Sequence, residues 1–131
     1  MRLFLQINIG EWQDHGYSNP MLTLASSLAD DVIGTDVDTL SDAHVVDLVK
    51  KLVNQSQKTF LLVSARQRDL PLNHVLSLLN YLFECQDKIH LAVISGEHPI
   101  AEKLLRTLDA KFVKNSEDEL IRKMVKQFAR G

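Results

Sequence analysis

Thr59–Ala65 reads TFLLVSA, and its core from Phe60 to Val63 is apolar at every position. In a strand, successive side chains point to opposite faces, so an unbroken apolar run needs cover on both sides. That is the signature of a central strand in a parallel sheet with helices packed above and below. Two similar stretches flank it. Residues 3–9 (LFLQINI) end at Gly10, and residues 89–95 (IHLAVIS) end at Gly96. Leu61, Val63, Leu91 and Val93 are expected to be almost completely buried.

Helical patterns fill the intervals. Asn19-Pro20 reads as a cap followed by the first helical residue, with Met21, Leu22, Ala25 and Leu28 at helical spacing. Ser41 reads as the cap of a second helix, whose apolar face is Val45, Val46, Leu48, Val49, Leu52 and Val53. A third helix is expected over residues 69–84, with Asp69 as its cap and Pro71 in its first turn. A fourth opens at Pro99. Residues 110–113 read as a short last strand. Ser116-Glu117-Asp118-Glu119 has the form of a capping box before a final helix marked by Leu120, Ile121, Met124, Val125 and Phe128. Residues 31–39, with Val32, Ile33 and Val37 around Gly34, suit a short edge strand or an irregular connection. The alternation predicts a three-layer αβα fold, a doubly wound and mostly parallel sheet of four or five strands. The favoured order is 2-1-3-4-5, which is flavodoxin-like. Residues 1–131 are expected to form a single α/β domain.

Composition sets outer bounds. Of 131 residues, 45% are hydrophobic and 24% charged, with a formal net charge of -2, as in ordinary globular chains. Residues 111–131 carry six bases against three acids, too small an excess for the strongly basic face that nucleic acid requires. One cysteine, Cys85, leaves no internal disulfide. There is no secretory leader pattern and no apolar run long enough to span a bilayer, so the chain is expected to be cytoplasmic and free of membrane. The five histidines fall on different elements without the spacing of a zinc site, so neither a metal nor a cofactor is expected.

In open α/β sheets ligands bind beyond the carboxyl ends of the strands. That rim collects Asn8, Gly10, Glu11, Trp12, Asp14, His15 and Tyr17 after the first strand. Ser64, Arg66 and Arg68 follow the third. Ser95, Gly96, Glu97 and His98 follow the fourth, and Lys114 to Ser116 the last. Glycine-rich phosphate loops and a G-x-S-x-G elbow are missing. The candidate ligand-binding residues are therefore Ser64, Arg66, Ser95, Gly96, His98 and Lys114, with a small anion as the fitting ligand. The same rim would be polar in any such fold.

Val93 to Phe128 (VISGEHPIAEKLLRTLDAKFVKNSEDELIRKMVKQF) resembles the end of response-regulator receiver domains. In that family one strand ends in Ser or Thr and the next in Lys, and Ser95 and Lys114 hold the matching places. Ser64 stands where a receiver has its phosphoacceptor aspartate. Asn8 to Gly10 do not supply the family's acidic pair, and the span from the first strand to Ser64 is longer than the family's. The resemblance implies a binding module that works without aspartyl phosphorylation, since the carboxylates that chemistry needs are absent.

Two functions stay open. One is a non-catalytic interaction or regulatory domain that binds a protein or a second copy of itself. The helix over residues 69–84 is apolar on more than one face, leaving Leu78 and Tyr81 to meet a partner. The other is a small enzyme or a nucleotide- or anion-binding protein that uses the carboxyl edge, with Asp14, His15, Arg66, Arg68, Ser95 and His98. Whether the chain is an enzyme is not decided by these residues.

Overall fold

The computed structural model describes residues 1–10 and 19–131, the side chain of Ala110 excepted. Five strands, β1 (Arg2–Ile9), β2 (Val32–Asp38), β3 (Thr59–Ala65), β4 (Ile89–Gly96) and β5 (Phe112–Lys114), form one sheet in the order β2-β1-β3-β4-β5. Every neighbouring pair is parallel. Among the described residues the α-helices are α1 (Pro20–Leu28), α2 (Ala43–Gln55), α3 (Val75–Glu84), α4 (Pro99–Leu105) and α5 (Asp118–Arg130). This is the doubly wound, flavodoxin-like arrangement expected, and residues 31–39 do contain the edge strand. Among the described residues no helix is long and apolar enough to cross a membrane.

Strand alternation divides the core in two. Leu3, Leu5, Ile7 and Ile9 of β1 point with Leu61, Val63 and Ile94 toward α2, α3 and α4. Phe4, Phe60, Leu62 and Val93 point the other way, onto Met21 and Ala25 of α1 and Ile121, Val125 and Phe128 of α5. The Phe4 and Phe60 rings stack at 5.3 Å on this second face. Leu61, Val63 and Val93 are fully buried. Leu91 is only half-buried, because β5 pairs with β4 from Ala92 onward and leaves Leu91 without an edge neighbour.

Several helix starts differ from the expected ones. The helix after β3 begins at Val75, not near Asp69. Residues 68–69 and 73–74 are turns, with Asn73 at φ 55° donating from Nδ2 to the Thr39 carbonyl at 2.9 Å. The left-handed backbone at Asn73 interrupts any continuous helix from Pro71. Asp42, not Ser41, caps α2: its Oδ1 accepts from the Val45 N–H at 3.0 Å, and Ser41 Oγ accepts from Asp38 N–H instead. The capping box at Ser116 does not form. Glu117 is the cap residue of α5, and Ser116 Oγ accepts from the Gly96 N–H at 3.0 Å, tying the end of β4 to the loop before α5. α4 tightens into a 3-10 segment over Arg106–Lys111, so the last strand starts at Phe112, two residues later than expected.

Candidate functional site

β1 carries two polar amides, Gln6 and Asn8, in an otherwise apolar run. Two residues apart, they point to the same face, the one covered by α1 and α5. The parallel register sets Asn8 beside Ser64 and Ser64 beside Ser95, so three polar side chains lie in one row across the central strands. Gln6 and Leu62 form the row below.

Above these rows lies a cavity of about 120 Å³. A water needs about 10–15 Å³ measured this way, so the space takes a small molecule. Its floor is Gln6, Asn8, Leu62, Ser64 and Ser95. One wall is the start of α1, with Asn19, Pro20 and Met21, and another is the start of α5, with Asp118, Ile121 and Arg122. Arg66, just past β3, closes the rim. Neither helix start has a side-chain cap. Asn19 is occupied elsewhere, because its Oδ1 accepts from Asn8 Nδ2 at 3.1 Å and its Nδ2 donates to Asp36 Oδ2 at 3.2 Å. Gln6 Nε2 in turn donates to Asn8 Oδ1 at 2.9 Å. Two helix starts and two arginines thus border the serine row, with Asp118 as the opposing charge among the described lining residues.

Of the residues expected at the site, Ser64, Arg66 and Ser95 line this cavity, and the others are engaged elsewhere. Lys114 stands on the opposite face of the sheet, where its Nζ is 2.7 Å from Glu102 and 3.9 Å from Glu97. Its register partner Ile94 belongs to the α2–α3–α4 side, and parity carries Lys114 there. The Gly96 N–H is taken by Ser116. His98 is buried as the cap of α4: Nδ1 accepts from the Ala101 N–H at 3.2 Å and Nε2 donates to the Leu70 carbonyl at 2.7 Å. Both ring nitrogens are thereby used. Arg68 pairs with Glu97 at 3.0 Å. Glu11, Trp12, Asp14, His15 and Tyr17 lie outside the described residues. Leu78 is fully buried in the core of its own chain and is not open to a partner. Tyr81 is half-buried, with Lys50 Nζ 5.9 Å from its ring centre.

The reading of the sequence missed Gln6, Asn19 and Arg122 as site residues. The signal for Gln6 was present: a glutamine and an asparagine at i and i+2 in a buried strand must satisfy their amides on one face. Arg122 carries no such signal, because its place depends on how α5 packs. Compared with known proteins, the chain matches no family model and no curated protein sequence.

Proposed function

We propose that this chain is a binding domain for a small anionic molecule, held at the carboxyl edge of the sheet between α1 and α5. The observation that carries this reading is the meeting of Arg66, Arg122, Ser64 and Ser95 around one cavity at two uncapped helix starts. Guanidinium groups, hydroxyls and first-turn amides are all donors suited to an anion. The described lining includes no histidine or cysteine, and its one carboxylate is Asp118. A regulatory domain that reads the level of a small anion fits this composition. The alternative of a protein interface through Leu78 and Tyr81 has less support, because Leu78 is already covered by its own chain.

Titration with inorganic phosphate, followed by amide shifts in NMR, tests the reading. Shifts concentrated at residues 64–66, 95 and 118–122, and weakened in the Arg66→Gln, Arg122→Gln double variant, are the expected result. No shifts at millimolar phosphate, or shifts spread over the outer helix faces, would overturn it.

A further inference from the structure

Gln6 is 6% exposed, and its Oε1 is a fully buried side-chain atom with no hydrogen-bond partner among the described residues. A stranded buried acceptor is costly, and native structures contain few. Gln6 lines the cavity, so that is the side from which a donor would have to reach the buried Oε1.

The direction of this amide is set from outside. Asp36 can only accept when ionised, so Asn19 must present Nδ2 to it. Asn19 Oδ1 is then left to accept from Asn8 Nδ2, and Asn8 Oδ1 accepts from Gln6 Nε2. Each amide in the chain is oriented by the one before it. The exposed carboxylate on β2 thus dictates that the far end of the chain offers an oxygen, not an N–H.

We infer that the ligand of this site carries a hydrogen-bond donor as well as its anionic group, and that it belongs to the class of small hydroxylated anions. This rests on the anion-binding reading above and adds a requirement for a hydroxyl on the ligand's carbon skeleton. The anionic group faces Arg66 and Arg122 at the rim, and a hydroxyl reaches down to Gln6 Oε1 below the serine row. The floor beside Gln6 is Leu62, which gives a ligand without a hydroxyl nothing in place of the lost bond.

Calorimetry with glycerol 3-phosphate and n-propyl phosphate separates the two claims, because the pair share charge and length and differ in hydroxyls. The wild-type chain is expected to prefer glycerol 3-phosphate by about fivefold or more, the size of one net hydrogen bond. Gln6→Met should abolish the preference. Asp36→Asn, at an exposed position, should reduce the preference because the amide chain is no longer held in one direction. Equal binding of the two phosphates by the wild type would overturn the donor requirement and leave the anion reading standing. A preference that survives in both variants would overturn the role of Gln6. Failure of both phosphates to bind would overturn the anion reading, and the donor requirement with it.

Discussion

A Cβ placed on Gly96 would lie 2.0 Å from the carbonyl oxygen of Ala65, its register partner on β3. Gly96 also has φ +88°, a conformation that side chains rarely adopt. The clash is with backbone, so no rotamer change relieves it. Gly96→Ala should lower stability by more than about 1 kcal/mol, seen as a lower urea midpoint. An unchanged midpoint would show that the ends of β3 and β4 can separate freely.

Leu61 sits in the middle of β3 with no exposed surface. Leu61→Ala should cost about 2–5 kcal/mol through lost burial and the cavity left behind. Chemical denaturation at constant slope measures it, and a midpoint that hardly moves would contradict the packing described.

The two ends of the sheet differ in how their helices are capped. Asp42→Ala removes a side-chain acceptor from the first turn of α2 and should cost about 0.5–2 kcal/mol. Glu117→Ala removes no cap bond from α5 and should cost clearly less. Equal losses in thermal unfolding would show that the Asp42 bond contributes little.

Acid sensitivity should appear in two windows. The hydrogen bonds from Arg2, at 2.7 and 2.9 Å, hold the Asp31 carboxyl below the usual carboxylate range. A depressed folded-state value means stability that is present above the unfolded value, near about 3.9, and lost as pH falls toward the folded one. Burial, and then the charges of Lys58, Arg2 and Lys111, push His90 down from its ordinary value. Its contribution is therefore lost at higher pH, as acidification passes below about 6.5. Asp31→Asn should flatten the stability curve only in the lower window, and His90→Gln only in the upper one. Urea midpoints measured from pH 7 to pH 3 distinguish them.

Apolar run length was enough to read the sheet. The stretches around Leu5, Leu61 and Val93 are too continuous for half-exposed strands, and the fold follows from covering both of their faces. Local polar chemistry was harder to read. Ser41 and Ser116 each precede a helix, yet both spend their hydroxyls on the backbone of a strand's last residue, Asp38 and Gly96. A serine can satisfy several nearby N–H groups, and spacing does not say which one wins. The site was half legible for a geometric reason. Proximity to a strand end groups Ser64, Ser95 and Lys114, but side-chain parity needs the register, and the register sends Lys114 to the other face.

The carboxylate of Asp36 has a second consequence, at the border of the sheet. β2 is an outer strand, and its free backbone groups could template pairing with another molecule. An incoming strand would have to lie alongside Asp36 and Asp38, with Gly34 offering no side chain to pack against. At the opposite border β5 is three residues long, too short to anchor a growing ladder. Charge on one side and brevity on the other both disfavour edge-to-edge pairing.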